Sequence, residues 1–277
     1  MTKKRFFSSL VMIAFTAIAV MYNWAFLVMI LGLTIGGLYE FFHMIKRKGI
    51  PIYSYFGIFI GCLIPLTIYG GFELTRNLEF LFIVLAFLTI LFFQFARNDN
   101  NNAIVGISTT MFGVFYVSWL FSFLVRVRCL LPGFEGIKLM SFIIIVTKAG
   151  DIGALLIGSL WGKHPLFPRV SPNKSIEGSI GSFCFSLSAA VLCKGLLPAG
   201  LILAGLLPLW KIALMGAFFG GMGQLGDICE SLIKRDCNMK DSGKFLPGLG
   251  GVLDIIDSLL FSVPLFYLYM SSLLKVL

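Results

Sequence analysis

The residues with the clearest chemical potential lie between positions 223 and 257, in a chain that is otherwise mostly apolar. Ser231 follows Asp227 by four residues, so a helix would place this carboxylate and this hydroxyl on one face. Lys234 and Arg235 come three and four residues later and continue that face. Snorkelling to lipid headgroups would account for the two basic side chains. It does not account for Asp227, because charged groups at bilayer depth are costly and mark ion, phosphate or proton chemistry.

A pair of carboxylates opens the next apolar stretch, where Asp254 and Asp257 are three residues apart. On one helical face the two charges repel each other, and burial raises their cost further. A divalent cation removes both problems, and Mg²⁺ suits a site of one or two carboxylates completed by substrate phosphates. Asp227 could contribute a ligand from the neighbouring helix. Carboxylate pairs also form proton relays in transporters, so the pattern leaves that alternative open.

The segment between these two helices has the composition of an anion-binding loop. It contains Lys240, Asp241 and Lys244, followed by the paired glycines Gly250 and Gly251. Glycines just before a helix let backbone N–H groups approach an anion, and the helix N-terminus adds a favourable partial charge. Loop flexibility is the commoner reason for such glycines. In combination with the lysines and the carboxylate pair, they favour a cradle for a polyphosphate.

Two further polar features lie upstream. Asp151 interrupts an apolar helical segment, which makes it a second candidate ligand or orienting group. Ser171 opens a polar loop in which Lys174 could neutralise a phosphate. Ser175 and Glu177 follow, and both could cap the helix that begins there.

Membrane helices must position these groups. Of the 277 residues, 58% are hydrophobic and 13% are charged. Successive apolar runs of about 17–25 residues predict an all-α, polytopic integral membrane protein with about nine transmembrane helices. The runs are continuous rather than alternating, which argues against an outer-membrane barrel. We expect a single membrane domain, 1–277, with N-terminal spans in 1–136 and a catalytic half in 137–277. The predicted spans lie near 6–21, 24–43, 52–70, 78–96, 103–125, 137–159, 176–193, 199–227 and 252–274.

Basic residues set the expected orientation, because Lys and Arg collect in cytoplasmic loops. Residues 3–5 are all basic and lead into a first span that we expect to remain uncleaved. Alternation of spans then places the polar loops 160–178 and 228–251 on the cytoplasmic side, where nucleotides can reach them. Arg126 and Arg128 would lie outside, against the rule. The net charge of +9 follows from this topology, so no nucleic acid partner is expected.

Zinc and thiol chemistry are not indicated by the sequence. The six cysteines include no C-x-x-C pair, which favours small buried apolar residues over a metal or redox motif. The two histidines, His43 and His164, are isolated in the sequence. No zinc site or catalytic triad can be built from them.

Together these motifs resemble the signature of the phosphatidate cytidylyltransferase (CDP-diacylglycerol synthase) family. The similarity covers the Ser-Leu-Ile-Lys-Arg run at Ser231, the Lys-Asp-Ser-Gly run at Lys240, then Pro247, the paired glycines and the two aspartates of the last helix. Residues 171–178 are similar to a second hallmark of that family. The resemblance covers about the C-terminal half of the chain, and its several parts make it more specific than a lone glycine motif.

The resemblance implies a membrane nucleotidyltransferase of phospholipid biosynthesis. CTP and phosphatidic acid would give CDP-diacylglycerol and pyrophosphate with Mg²⁺, at an inner-membrane, multi-pass enzyme whose active site faces the cytoplasm. It also implies a second cation and a homodimer. Asp227 and Asp254 are expected at the metal. The expected catalytic residues are Asp227, Ser231, Lys234, Arg235, Lys240, Asp241, Asp254 and Asp257, and the expected substrate-binding residues are Asp151, Ser171, Lys174, Lys244, Gly250 and Gly251.

Two positions depart from the family pattern. Leu249 stands where the family usually has His, and Ile255 stands where it usually has Arg. No role that rests on that His or Arg carries over to this chain. Among the alternatives, a CTP-dependent polyprenol or lipid kinase is closest in chemistry. An ion- or proton-coupled transporter would often show inverted repeats, and the sequence shows none.

Overall fold

The computed structural model describes residues 16, 18–71, 76–96, 101–199, 202, 206–243 and 250–275. Most of these residues are helical, which confirms the all-α prediction. The helices are α1 (Asn23–Arg47), α2 (Ser54–Tyr69), α3 (Arg76–Phe95), α4 (Ala103–Cys129), α5 (Phe134–Trp161), α6 (Ile176–Leu192), α7 (Leu209–Asp236) and α8 (Leu253–Leu274). A short 3₁₀ helix covers Lys194–Leu196.

A small β-hairpin lies where the sequence predicted only a polar loop. Strands β1 (Pro165–Phe167) and β2 (Ser171–Ser175) pair antiparallel, with Pro165 opposite Ser175 and Phe167 opposite Ser171. Strands of three and five residues are too short to show the alternation of apolar and polar residues by which strands are recognised in a sequence. The hairpin leads directly into α6 and therefore fixes where that helix begins.

Five of the described helices, namely α1, α4, α5, α7 and α8, are long and apolar enough to cross a membrane. Three shorter apolar stretches accompany them, namely α2, the Ile83–Phe95 part of α3, and α6. These helices support an α-helical membrane protein. The count of about nine spans stays a prediction, and most of the first predicted span, 6–21, lies outside the described residues.

The chain divides into two units, which are described separately. The first unit comprises Met1–Val125 and Cys237–Ile255. One turn of α4, Val114–Trp119, is wound as a π-helix, a form that appears mostly as single turns inside α-helices. Within this turn the Ser118 hydroxyl donates to the Gly61 carbonyl oxygen of α2. This bond ties α4 to α2 inside the unit.

The second unit comprises Arg126–Asp236 and Ile256–Leu277. Small residues let α5, α6 and α7 approach closely, as is common between membrane helices. A Cβ added at Gly153 of α5 would lie 2.6 Å from the Gly181 carbonyl oxygen of α6, and one at Gly216 of α7 would lie 2.6 Å from the Ser186 carbonyl oxygen of α6. Close contact between backbones therefore holds the helices that carry the candidate site.

Candidate active site

A cluster of three carboxylates lies in the second unit, and we call it the carboxylate cluster. Asp227 and Glu230 come from α7, and Asp257 comes from α8. One ligand oxygen from each lies within 4.8 Å of the others. Glu230 is fully buried and Asp257 is 5% exposed. Carboxylates held this close and this deep need a cation, because their charges repel and burial penalises them.

Two lysines supply part of that positive charge. Lys174 Nζ, from strand β2, lies 2.8 Å from an Asp227 carboxylate oxygen. Lys234 Nζ lies 2.5 Å from a Glu230 carboxylate oxygen, one helical turn away on α7. Both residues were predicted from the sequence to act near phosphates or at the catalytic helix face. The structure brings both of them to the carboxylate cluster.

A second polar group joins α5 to α8 in the same unit. Lys148 Nζ lies 2.9 Å from an Asp151 carboxylate oxygen and 2.8 Å from the Ser258 hydroxyl. Ser258 Oγ in turn lies 2.8 Å from the same Asp151 oxygen. Because Ser258 follows Asp257 directly, this lysine–aspartate–serine triangle fixes the backbone of α8 beside the carboxylate cluster. The side chain of Asp151 therefore orients a helix, and its role as a ligand or substrate-binding residue stays a prediction.

The hairpin is attached to α6, the helix that follows it. Ser175 caps α6, since its hydroxyl accepts from the Gly178 backbone N–H at 3.1 Å, as predicted. Glu177 lies in the first turn of α6 and also binds the segment that precedes the hairpin. Its carboxylate accepts from the backbone N–H groups of Lys163 and His164, and it pairs with the His164 ring at 2.6 Å. These bonds fix the segment that presents β2 and its lysine.

The exposed end of α7 is also joined to the hairpin. Arg235 Nε donates to the Val170 carbonyl oxygen at 3.3 Å. Ser231 and Lys234 are buried on the same helix, whereas the Arg235 side chain is exposed. The helix face predicted from the sequence therefore runs along one continuous helix, α7, from its buried part to its exposed end.

Helices α7 and α8 touch at Gly226, which leads to a first prediction. A Cβ added there would overlap the Asp257 carbonyl oxygen, and a backbone atom cannot rotate away. Gly226→Ala is therefore expected to push the helices apart and to destabilise the protein by about 1–3 kcal/mol. Thermal unfolding in detergent measures this effect. The matched control is Gly32→Ala, because among the described residues no atom outside its own helical turns lies within 4 Å of the added Cβ. An unfolding temperature for Gly226→Ala equal to that of the control would contradict the prediction.

The glycine-rich segment belongs to the first unit. Asp254 Oδ2 accepts from the Gly251 backbone N–H at 2.7 Å and from the Ser242 backbone N–H at 3.3 Å. The Ser242 hydroxyl lies 2.9 Å from the same oxygen. Gly250 has a φ of +97°, a backbone conformation that favours glycine. The carboxylate of Asp254 thus joins Ser242 to Gly251 at the start of α8, and its assignment as a metal ligand stays a prediction.

The remaining predicted residues are distributed as follows. Lys240 and Asp241 are exposed in the first unit. Ser171 is the first residue of β2, in the second unit. Lys244 and the divergent position Leu249 lie outside the described residues.

Three polar residues of the second unit are absent from the predicted set. Glu230 lies three residues after Asp227, so the helical spacing that links Asp227 to Ser231 could have found it. Lys148 lies three residues before Asp151, again at helical spacing and with opposite charge. Ser258 has no such signal, because only the packing of α8 against α5 reveals its role.

Comparison with known proteins identifies the family of the chain. Residues 3–273 match the model of a protein family described as the cytidylyltransferase family. The chain belongs to the cytidylyltransferase family. It is 31% identical over 304 residues to a phosphatidate cytidylyltransferase of Synechocystis sp., covering 100% of this chain and 99% of that protein.

Two other relatives carry the same name. The cytidylyltransferase of Bacillus subtilis is 30% identical over 259 residues, covering 92% of each chain. That of Staphylococcus saprophyticus is 32% identical over 227 residues, covering 80% of each chain. The similarity therefore extends beyond the C-terminal half on which the sequence motifs rest.

Proposed function

We propose that this protein is a phosphatidate cytidylyltransferase, which converts CTP and phosphatidic acid to CDP-diacylglycerol and pyrophosphate in phospholipid biosynthesis. The observation that carries the proposal is the carboxylate cluster of Asp227, Glu230 and Asp257, with Lys174 and Lys234 against it. A group of carboxylates and lysines at the end of an apolar helix suits the binding of phosphates. Relatives named for this activity, similar over most of the chain, support the same reaction.

The reaction needs charge neutralisation more than it needs a base. A phosphate oxygen of phosphatidic acid attacks the α-phosphorus of CTP, and a new P–O bond forms. The bond between the α-phosphorus and its bridging oxygen breaks, and pyrophosphate leaves with that electron pair. The attacking phosphate is already anionic at neutral pH, so no proton has to be removed from it. Two anions must be brought together, which is achieved by positioning and by cationic side chains.

The carboxylate cluster fits the divalent cation that the family implies. Its three side chains offer hard oxygen ligands within 4.8 Å of one another, which is the donor type that Mg²⁺ prefers. Asp227, Glu230 and Asp257 would hold the ion. Mg²⁺ in this position would neutralise charge on the phosphate oxygens. Asp254, which the sequence motif assigned to the metal, is proposed to act through its hydrogen bonds with Ser242 and Gly251.

The basic side chains are proposed to hold the phosphates. The Lys174 ammonium lies 2.8 Å from an Asp227 carboxylate oxygen, so it would lie near a phosphate oxygen bound at the carboxylate cluster. Arg235 and Lys240 are exposed and suited to the soluble nucleotide. We propose that the site faces the cytoplasm, which supplies CTP, and opens sideways to the bilayer, which supplies the lipid. The homodimer and the second cation stay predictions.

Purified protein in detergent, supplied with phosphatidic acid, tests the proposal directly. With CTP labelled in the cytidine, label is expected to move into an organic-soluble product in the presence of Mg²⁺. The transfer should stop when EDTA is added and resume when Mg²⁺ is restored in excess. A reaction mixture without phosphatidic acid serves as the control. A protein that folds and yet transfers no cytidine under these conditions would contradict the proposal.

A further inference from the structure

A lysine lies inside the candidate membrane span of α5, where a positive charge needs an explanation. Lys148 is in the middle of that helix, and ionisable residues inside membrane segments are rare and mark functional positions by default. Burying an ammonium group is costly unless it is paired and hydrogen-bonded. The groups around Lys148 therefore show what its charge does.

The ammonium of Lys148 lies beside the carboxylate cluster. Lys148 Nζ donates to the Ser258 hydroxyl at 2.8 Å, and the Ser258 backbone N–H donates to an Asp257 carboxylate oxygen at 2.5 Å. The positive charge of Lys148 acts on Asp257 and also on Asp227. Both of these carboxylates belong to the cluster. Lys148 is therefore part of the electrostatics of the cluster as well as a partner of Asp151.

Packing of α5 against α7 and α8 fixes the position of this charge. The residue before Lys148 is Thr147, whose hydroxyl donates to the Ser262 hydroxyl of α8 at 3.0 Å. A Cβ added at Gly223 of α7 would lie 2.9 Å from Thr147 Cγ2. Three helices therefore meet at this turn of α5. The fold sets the place of the Lys148 ammonium, as it sets the places of the carboxylates.

The balance of charges shows what Lys148 contributes. The carboxylate cluster and the ion pairs around it comprise four carboxylates and three ammonium groups among the described residues, namely Asp151, Asp227, Glu230 and Asp257 with Lys148, Lys174 and Lys234. Four negative and three positive charges leave one negative charge. With one Mg²⁺ bound, the group would be net positive, which favours anionic phosphates. Without the Lys148 ammonium, the same group with Mg²⁺ bound would be neutral.

We propose that Lys148 is a positioning residue that acts through the carboxylate cluster, where its ammonium weakens the binding of a divalent cation and strengthens the attraction of CTP. Both effects have one cause, because a fixed positive charge repels a cation and attracts an anion. The inference rests on the proposed function and deepens it. It concerns a residue outside the motifs on which the family resemblance rests.

Binding of Mn²⁺ to the detergent-solubilised protein without substrates tests the effect on the cation. Electron paramagnetic resonance of free Mn²⁺ gives the Kd. Lys148→Met is expected to lower this Kd about tenfold, because a like charge near the ion is removed. The matched control is Lys138→Met, which breaks an ion pair of the same spacing with Glu135, about 15 Å away along α5. Its Kd should equal that of the wild type. An unchanged or higher Kd in Lys148→Met would overturn the inference.

Steady-state kinetics at saturating Mg²⁺ test the effect on the nucleotide. Lys148→Met is expected to raise KM for CTP about tenfold, which is opposite in direction to the change in the Kd for Mn²⁺. Lys148→Arg keeps the positive charge and should return both values most of the way to those of the wild type. A general loss of structure would weaken the binding of Mn²⁺ and of CTP together. That result, or an unchanged KM for CTP, would contradict the role of the Lys148 charge.

Two further variants keep the test decisive if Lys148→Met does not fold. Lys148→Gln removes the charge and keeps a hydrogen-bond donor, so the same lower Kd for Mn²⁺ is expected. Lys148→Met combined with Asp151→Asn removes one charge of each sign, and the Kd should return to near the wild-type value. A double variant that binds Mn²⁺ as tightly as Lys148→Gln would overturn the inference. A wild-type protein that binds Mn²⁺ and transfers no cytidine would instead contradict the proposed function.

Discussion

Asp227→Asn is expected to lower the rate of CDP-diacylglycerol formation by about 10²–10³-fold. A metal that stabilises charge in the transition state contributes several kcal/mol, and each 1.36 kcal/mol is worth tenfold in rate. The substitution removes one charge from the carboxylate cluster, namely the negative charge that lies 2.8 Å from the Lys174 ammonium. Steady-state rates at saturating CTP and phosphatidic acid measure the effect.

The matched control for Asp227→Asn is Asp236→Asn, which changes an exposed aspartate at the end of the same helix. Its rate is expected to equal that of the wild type. Glu230→Gln is a second test of the carboxylate cluster, because Glu230 was assigned to it from the structure and not from the sequence. It should raise the Mg²⁺ concentration needed for half-maximal rate. More than one tenth of the wild-type rate in Asp227→Asn would contradict the role given to the cluster.

Lys148→Met is expected to destabilise the protein and to lower its activity. The substitution removes the cation that lies 2.9 Å from Asp151 and 2.8 Å from the Ser258 hydroxyl. Breaking a buried ion pair costs about 3–5 kcal/mol. Here the Lys148 and Asp151 side chains are each 34% exposed, so we expect about 2 kcal/mol. Thermal unfolding in detergent measures the loss.

A double variant shows how much of the lost stability comes from the uncompensated charge of Asp151 and how much from the lost packing of Lys148. Asp151→Asn in the Lys148→Met background removes the carboxylate that has lost its cation, so part of the stability should return. Activity should not return, because the triangle that fixes α8 beside the cluster is still broken. Stability that falls further in the double variant than in Lys148→Met would show that the ion pair is not the reason for the effect.

The sequence predicted the helix face of α7 well, because a period of four residues is a local property. Asp227, Ser231 and Lys234 do lie along one helix. The same local reasoning predicted the cap at Ser175. Helical spacing could also have identified Glu230 and Lys148, because each lies three residues from a predicted site residue.

Other parts of the site depend on packing that no local pattern records. The sequence places Asp254 and Asp257 three residues apart, yet their carboxylates have different partners. Asp254 accepts from the Gly251 backbone N–H, whereas Asp257 joins the carboxylate cluster. Glu40 of α1 accepts from the Leu253 backbone N–H, which lies 213 residues away in the sequence. Its only signal in the sequence is a lone charge within an apolar span.

At Leu249 and Ile255 the chain departs from the family pattern, so the resemblance assigns no role to these two residues. Ile255 stands one residue after Asp254 in the first turn of α8, where the family usually has a basic side chain. Lys174 and Lys234 pair with the carboxylate cluster, and we propose that they contribute to charge neutralisation in this chain.

The most direct test of the proposed reaction follows two phosphorus atoms of CTP at once. CTP labelled at the α-phosphate or at the γ-phosphate is incubated with phosphatidic acid, Mg²⁺ and the purified protein. The α-label is expected in the lipid and the γ-label in pyrophosphate, in equal amounts. A γ-label in the lipid with no cytidine would identify a kinase. The absence of label from the lipid, with ions or protons moved across a reconstituted bilayer, would contradict enzymatic transfer altogether.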